Sequence, residues 1–419
     1  MNKVLKAREA RSNLIIETLT NSSNNVIIIK ANVVGENKNT YYSYLVVNIF
    51  FKLVQEKVKI IKGKFIESAD GPFYLLEVSN NLKNIKEILI NIEEYHPLGR
   101  IVDLDVYSKT GSISRLDLGK EFRKCIICDD IAHKCIRSRK HSEIEVKEKI
   151  ESLVRNYLEN IVSKSVDDAI TMEANLDPKF GLVTSKTSGS HPDMDFHLLM
   201  KSKDAIHFDL VKMFFLGFDN ELLAGFRKAR MLGLDTERKM YKATNNINTY
   251  KGLIFILGIT LVSLGYAIKN KRTDLFNLVK DIGKDLIIEF DNELNTFGKE
   301  AFIKYGISGA RGEVHKGLIS VRDVKKRLSS LNNEDLTMAL IYLIKNVDDT
   351  VLLKRAKTLE KYYYFKELVG SINEYDLELI KKVTDECIEN NISFGGSADL
   401  LITSIFLKLI ERELVINYE

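Results

Sequence analysis

Tryptophan is missing from the 419 residues, and the four prolines all fall at or before Pro192. With no later proline to interrupt it, the rest of the chain is free to run as long helices. Cysteine is equally scarce: four residues, three of them gathered at 125, 128 and 135. That density excludes a disulfide scaffold and sets the expectation of a reducing, cytoplasmic setting. No apolar run is long enough for a bilayer. The longest, Leu253 to Ile268, falls short of the roughly 20 residues a spanning helix needs. It contains Gly258 and Gly265 and reads as a buried core helix. Excess charge of one sign is also lacking. Sixty-two Lys and Arg stand against 58 Asp and Glu, a net +4, which gives no reason to expect a nucleic-acid partner. Met1 to Arg11 is charged and has no apolar core, so no secretory signal and no membrane association are expected.

What is present is 45% hydrophobic and 29% charged, suited to two or three ordinary cores. The two halves differ in pattern. In the first, Val26–Ile29, Val58–Ile66, Phe73–Val78 and Ile101–Tyr107 read as strands, the third following the turn signal Asp70-Gly71-Pro72. Tyr41–Gln55 and Leu82–Glu93 read as helices. After about residue 150, apolar residues recur every three or four positions, as at Leu336, Ala339, Leu340 and Leu343 behind a cap at Asn333-Glu334-Asp335. Glu143 to Asp168 holds no breaker, so helix is expected to join the halves. The expected fold class is multi-domain: an N-terminal α/β domain with a mixed sheet over residues 1–156, and a C-terminal all-α helical domain over residues 157–419.

Gly99-Arg100-Ile101-Val102-Asp103-Leu104-Asp105 carries the first chemistry. Alternation along a strand points Asp103 and Asp105 the same way. Paired carboxylates can hold Mg²⁺ against a triphosphate, though a solvated strand edge would look the same. Next comes Arg123-Lys124-Cys125-Ile126-Ile127-Cys128, followed by His133, Cys135, Arg137, Ser138, Arg139 and His141. Cys125, Cys128, Cys135 and His141 could bind a structural Zn²⁺. Their spacing matches no common finger, and a packed loop with buried, reduced thiols is the reading that spacing prefers. Arg123, Arg137 and Arg139 are candidate phosphate clamps.

In the second half, four segments set small and polar residues within apolar, helical surroundings. Asp177-Pro178-Lys179-Phe180-Gly181-Leu182-Val183 leads to Ser188-Gly189-Ser190-His191-Pro192-Asp193-Met194-Asp195. This suits a loop entering a helix, where backbone N–H groups can face phosphate and Asp193 and Asp195 can hold metal or act as base. Asn245-Asn246-Ile247-Asn248-Thr249-Tyr250-Lys251-Gly252 opens the apolar helix. Its lysine suits a triphosphate, and the segment serves equally as a plain cap. Tyr305 to Glu313, with glycines at 306, 309 and 312 around Arg311, reads as a poor helix and a good ligand loop. Gly395-Gly396-Ser397-Ala398-Asp399 opens the final apolar helix, and Asp348-Asp349-Thr350 adds acidic groups on a helix flank.

Arg8-Glu9-Ala10-Arg11, Gly99-Arg100 with Asp103-Leu104-Asp105, and the block from Arg123 to Ser142 together resemble the apo-citrate lyase phosphoribosyl-dephospho-CoA transferase family, over about residues 5 to 145. The resemblance implies a nucleotidyltransferase-like domain that attaches a prosthetic group to a serine of the apo acyl-carrier (gamma) subunit of citrate lyase and releases pyrophosphate. Asp103 and Asp105 would be its Mg²⁺ ligands, and Arg100, Arg123, Arg137 and Arg139 its phosphate contacts.

The four segments of the second half resemble the triphosphoribosyl-dephospho-CoA synthase family, over roughly residues 160 to 415. That implies ATP and 3′-dephospho-CoA as substrates, the ribose of ATP joined to the cofactor's 2′-hydroxyl, and adenine expelled. An oxocarbenium-like ribose needs carboxylates near C1′, drawn from Asp193, Glu313, Asp195 and Asp399 with Asp193 and then Glu313 preferred. Lys251, Arg311 and Mg²⁺ would hold the triphosphate. Lys179, Ser190, His191, Asn248, Thr249, Gly252, Gly312, Gly395, Gly396 and Ser397 complete the expected substrate contacts. The chain departs from the family's pattern in places. Phe180 stands where proline is usual, Tyr250 where histidine is, and Phe394 where proline is. Asn245-Asn246 replaces a glycine pair, and Arg355-Ala356-Lys357 replaces Arg-Gly-Gly.

The two steps join chemically, since the triphosphate made by the second half is what the first would attack. Three other readings stay open: the same chemistry for malonate decarboxylase, a metal-dependent glycohydrolase acting on an ADP-ribose-like ligand, and a zinc-bearing interaction module on a helical scaffold.

Overall fold

In the computed structural model, which describes residues 3–79, 81–284 and 297–418, the chain gathers into two units. One comprises Met1–Asn160 with Glu413–Ile416, the other Ile161–Arg412 with Asn417–Glu419. The first holds α1 (Lys3–Asn21), β1 (Asn25–Ala31), α2 (Tyr41–Lys57), β2 (Ile60–Ile66), β3 (Phe73–Val78), α3 (Leu82–Tyr95), β4 (Val102–Ser108), β5 (Gly111–Ser112) and α4 (Ala132–Ser138). Its sheet runs β2-β3-β1-β4-β5. Every pairing is antiparallel, a refinement of the mixed sheet expected: central β1 lies between two strands that both run against it.

Opposed residues of antiparallel strands share a face. Lys30 therefore lies beside Phe73 and Asp103, and Ile28 beside Leu75 and Asp105. Helix α1 covers this face, its Ile15 joining Val26, Ile28, Phe73 and Leu75 in one cluster. The other face, with Ile27, Ile29, Leu76, Val102, Leu104 and Val106, is fully buried against α2 and α3. Each such side chain contributes about 1.5–3 kcal/mol by leaving water. Edge strand β2 is mostly exposed and carries Lys62 and Lys64, charges that discourage pairing with another chain.

Helix α5 (Glu143–Asn175) is 33 residues long, in keeping with the absence of breakers. The second unit continues with α6 (Phe196–Phe218), α7 (Leu222–Ala243), α8 (Lys251–Lys269), α9 (Leu275–Gly283), α10 (Phe297–Tyr305), α11 (Gly309–His315), α12 (Ile319–Arg327), α13 (Asn333–Asn346), α14 (Thr350–Ala356), α15 (Leu359–Gly370), α16 (Leu377–Glu389) and α17 (Gly395–Leu414). Among the described residues, α8 alone is long and apolar enough to cross a membrane. Yet 78% of its most apolar window is buried within the protein, so it serves as the core helix that the sequence indicated. The cap of α13 is Asn332, one residue before the expected start, and its Oδ1 accepts from Asp335 N at 2.8 Å. A larger difference is α11, a helix where a ligand loop was expected. Gly306 (φ +71°) and Gly309 (φ +54°) make the turn ahead of it. Gly312 then lets the helix continue, because a Cβ there would overlap the Ser308 side chain.

Candidate active sites

In the first unit, the period of two brings Asp103 and Asp105 to one face of β4 as expected. Their side chains are 42% and 54% exposed, accessible to a ligand. Asp103 Oδ1 accepts from Asn32 Nδ2 at 2.8 Å and from Arg123 Nη1 at 2.9 Å. Lys86 Nζ stands 3.7 Å from Asp105 and donates to Leu104 O at 2.8 Å. Buried Glu93 accepts from Leu104 N at 3.1 Å, and burial raises its carboxyl pKa. Side chains of α3 thus satisfy both backbone groups of Leu104. Gly99 is required beneath this strand, since a Cβ would overlap the carbonyl of Glu93.

The same face carries residues that sequence reasoning missed. Asp70 is 1% exposed and accepts from Arg8 at 3.1 Å, Arg11 at 2.5 Å and Lys30 at 2.6 Å. Three cations around one carboxylate leave an uncompensated positive charge next to Asp103, the cross-strand neighbour of Lys30. The Arg8-Glu9-Ala10-Arg11 motif was the available signal, but nothing local to it points to Asp70. Of the expected phosphate clamps, Arg123 is spent on protein acceptors. Arg100 is half-buried on the turn before β4, and Arg137 and Arg139 are exposed on and just after α4. The ligand atoms of Cys125, Cys128, Cys135 and His141 all lie within 4.8 Å of one another.

In the second unit the separated motifs converge. Buried Asp349 caps α14, its Oδ1 accepting from Val351 N and Leu352 N. Its Oδ2 accepts from Ser397 N at 2.8 Å and Ser397 Oγ at 3.0 Å at the start of α17. Neighbouring Asp348 accepts from Ser308 N and Oγ, both at 3.2 Å, just ahead of α11. Close approach is built in: a Cβ on Gly396 would press Asp349, and one on Gly309 would press Thr350. Asp399, one turn into α17, sits against the first turn of α8, where a Cβ on Gly252 would overlap its Oδ2. Burial, then the charges of Asp349 and Glu173, push the Asp399 carboxyl well above the usual carboxylate range. Tyr250 lies beside the same carboxylates, buried and with no hydrogen-bond partner for its hydroxyl among the described residues.

Several expected contacts are engaged with partners inside the protein. Ser190 Oγ donates to Ile392 O at 2.6 Å. His191 Nδ1 meets Arg355 Nη2 at 2.8 Å and its Nε2 meets Ser393 Oγ at 2.7 Å. A guanidinium only donates, so Nδ1 accepts, and the proton of the neutral ring sits on Nε2 toward Ser393. Burial and then Arg355 lower the His191 pKa to about 4. Lys179 is buried and donates to Glu173 O and Oε1, each at 2.8 Å. Asp195 caps α6 through Leu198 N, whereas Asp193 is exposed. Asn248 Oδ1 accepts from Lys251 N at 3.2 Å, Thr249 Oγ1 bonds buried Ser202, and Lys251 Nζ lies 3.0 Å from Glu237. Glu313 is buried and accepts from Ser320 Oγ at 2.7 Å, its pKa raised by burial. Arg311 is half-exposed. A cavity of about 290 Å³ lined by Arg327, Met338, Tyr342, Lys345 and Asn373 holds none of the motif residues.

Residues 1–157 match the family described as apo-citrate lyase phosphoribosyl-dephospho-CoA transferase, and residues 160–417 match ATP:dephospho-CoA triphosphoribosyl transferase. Protein CitXG of Leuconostoc mesenteroides subsp. cremoris is 32% identical over 84% of this chain and 84% of its own length. The chain belongs to the family that fuses these two enzymes. It is a bifunctional transferase of citrate lyase prosthetic-group synthesis. Protein CitXG of Haemophilus influenzae is 28% identical over 97% of this chain and 95% of its own. The 2-(5″-triphosphoribosyl)-3′-dephosphocoenzyme-A synthase of Haemophilus ducreyi is 30% identical over 67% of this chain and 98% of its own. The malonate decarboxylase alternative finds no support among these matches.

In this fused transferase the departures from pattern have a backbone meaning. Asn245 (φ +54°), Asn246 (φ +66°) and Lys357 (φ +65°) are left-handed, the region glycine enters without cost. Phe180 is also left-handed, at φ +44°, a conformation closed to proline.

Proposed function

We propose that the two steps are divided between the units, in the cytoplasm. Residues 157–419 build 2′-(5″-triphosphoribosyl)-3′-dephospho-CoA from ATP and 3′-dephospho-CoA. Residues 1–156 transfer it to a serine of the apo acyl-carrier (gamma) subunit of citrate lyase.

For the synthase, the supporting observation is the convergence of Gly252, Ser308, Asp348, Asp349, Ser397 and Asp399 from segments far apart in sequence. The first turns of α8 and α17, both long helices, turn backbone N–H groups to the triphosphate, those of Gly252 and Gly396 among them, since Lys251 N and Ser397 N are held by Asn248 and Asp349. Lys251 leaves Glu237 for phosphate, and Arg311 adds charge. The 2′-hydroxyl oxygen bonds C1′ while the C1′–N9 bond breaks, and adenine departs with that electron pair. We assign the hydroxyl proton to Asp399 ahead of Asp193, because its carboxyl is driven up by burial and an acceptor of raised pKa is the stronger base. Asp349 and the His191–Arg355–Ser393 chain position the loops.

For the transferase, Asp103 and Asp105 are hard oxygen donors of the kind Mg²⁺ takes. No hydrogen bond reaches Asp103 Oδ2 among the described residues, so the pair fits the ion, which when bound would neutralise phosphate charge. Arg8, Arg11 and Lys30 exceed Asp70 in charge and attract the triphosphate, with Arg100, Arg137 and Arg139 at its approach. The carrier serine oxygen bonds the phosphorus nearest the ribose as its proton passes to water, the bond to the bridging oxygen breaks, and pyrophosphate leaves with that electron pair toward those cations.

Mass spectrometry of apo acyl-carrier subunit incubated with this chain, ATP, Mg²⁺ and 3′-dephospho-CoA tests the reading. The expected result is a covalent adduct, with adenine release that requires 3′-dephospho-CoA. Adenine released into water without that acceptor would instead support the glycohydrolase.

A further inference from the structure

Between Gly111 and Glu143 the chain lacks a core of its own: Cys135 is the single buried residue of that stretch. Leu116, Phe122 and Ile136 are 49%, 45% and 76% exposed. A segment of this length without apolar burial needs a cross-link to hold one conformation. None of its thiols is in a disulfide.

The four possible ligands are arranged as a closed site. Cys128 Sγ lies 3.6 Å from Cys135 Sγ and 3.3 Å from His141 Nε2. A tetrahedral zinc with bonds of about 2.3 Å to sulfur and about 2.05 Å to nitrogen separates such atoms by about 3.8 Å and about 3.6 Å. The backbone is folded to suit. Cys125 N donates to Asp130 O at 2.6 Å, and a bridge pairs Lys124 with Ile131, closing a tight loop around Cys125 and Cys128. Ile127 N points to Cys125 Sγ at 3.5 Å. The third ligand, Cys135, comes from α4, and left-handed Arg139 ends that helix. Lys140 N then bonds Cys135 O at 3.0 Å, which returns the chain to bring in His141.

We propose that Cys125, Cys128, Cys135 and His141 bind one Zn²⁺ in a closed, structural Cys₃His site. Four protein ligands leave no open position for a substrate, so the ion organises and does not catalyse. What it organises is Arg123, two residues before the first ligand. The Arg123 carbonyl accepts from Ala132 N at 2.8 Å, while its guanidinium holds Asp103 and the carbonyls of Gly99 and Val102. The zinc loop is thus fastened to the paired-aspartate strand. This positioning role rests on the transferase reading above; zinc binding does not.

The test uses the full chain purified under reducing conditions. Elemental analysis is expected to find about one zinc per chain, and Co²⁺ exchange to give the intense visible bands of a tetrahedral cobalt–thiolate site. Cys135→Ser should lose both, and His141→Cys, which restores a fourth soft ligand, should keep the metal. Chelation should lower transfer from preformed intermediate roughly 10- to 100-fold and leave adenine release unchanged. A folded, reduced wild-type chain that carries no zinc and gives no cobalt bands would overturn the site. So would full metal retention by Cys135→Ser. Metal bound as expected, with transfer indifferent to its removal, would overturn the positioning role alone.

Discussion

Arg123 holds Asp103 with Nη1 at 2.9 Å and spends Nη2 on two backbone carbonyls, Gly99 at 2.8 Å and Val102 at 2.9 Å. A planar fork with these acceptors has little left for phosphate. Its part is to fix a carboxylate that must meet a ligand. Arg123→Lys keeps the charge but cannot reach three acceptors at once. Losing one charge-assisted hydrogen bond costs about 1.5–3 kcal/mol, so transfer from preformed intermediate should fall roughly 10- to 100-fold. Adenine release should stay at the wild-type rate. Wild-type transfer by this variant would mean that the fork is dispensable.

The division of labour predicts opposite phenotypes for two alanine variants. Asp103→Ala should stop transfer while adenine is still released, because it removes an oxygen ligand from the paired-aspartate face. Arg311→Ala should do the reverse, depleting the triphosphate grip of the synthase by about 1.5–3 kcal/mol and sparing transfer of supplied intermediate. Adenine release unchanged in Arg311→Ala would remove that residue from the site.

Lys357 caps α14 in the left-handed region, at φ +65°, where a Cβ costs roughly 1–2 kcal/mol and glycine is the usual cap. Lys357→Gly should therefore stabilise the protein by about 1 kcal/mol, less the entropy glycine adds to the unfolded chain. Urea unfolding measures it as a higher midpoint. A lower midpoint would show that the lysine side chain makes up the strain elsewhere.

Much of the fold was legible, because hydrophobic spacing reports local geometry directly. Phe73–Val78 and the shared face of Asp103 and Asp105 follow from a period of two, α13 from spacing of three and four, and α8 from its unbroken apolar run. The sites were legible only as segments. Asp70 draws Arg8 from 62 residues away and Lys30 from 40, and no local pattern encodes such a meeting. Ser190 and His191 were read as phosphate contacts, yet they bond Ile392, Ser393 and Arg355. A polar side chain in a Gly-Ser loop serves a ligand or a distant backbone equally well on spacing alone. Gly309 to Glu313 formed helix because its glycines answer close contacts with Thr350 and Ser308, which the sequence does not display.

His191 should make stability fall in mild acid. Burial first, and Arg355 second, lower its pKa to about 4 from 6.5. Above pH 6.5 the ring is neutral folded and unfolded, and no stability depends on it. Between 6.5 and about 4 the unfolded chain takes up a proton that the folded one refuses. The folded state therefore loses up to about 3 kcal/mol across that window and no more below it. His191→Gln removes this dependence while keeping a donor toward Ser393. The stability difference between wild type and variant, followed by urea unfolding from pH 7 to 4.5, should shift against the wild type as pH falls. A constant difference would contradict a neutral, buried His191.

Asp399 is the sharper test of the synthase mechanism. Its carboxylate lies against Gly252 at the start of α8, accepts no hydrogen bond among the described residues, and is pushed up by burial and by Asp349 and Glu173. Asp193, by contrast, is exposed. Replacing a general base typically costs 10²–10⁴-fold, so Asp399→Asn, nearly isosteric, should lower adenine release by about 10²-fold or more and leave transfer of preformed intermediate intact. Gly252→Ala should act in the same direction, since its methyl group would displace the carboxylate. Asp193→Asn should change adenine release far less. If Asp193→Asn proved the more damaging and Asp399→Asn stayed active, the proton would have to leave by way of the exposed loop, and the raised pKa of Asp399 would reflect burial alone.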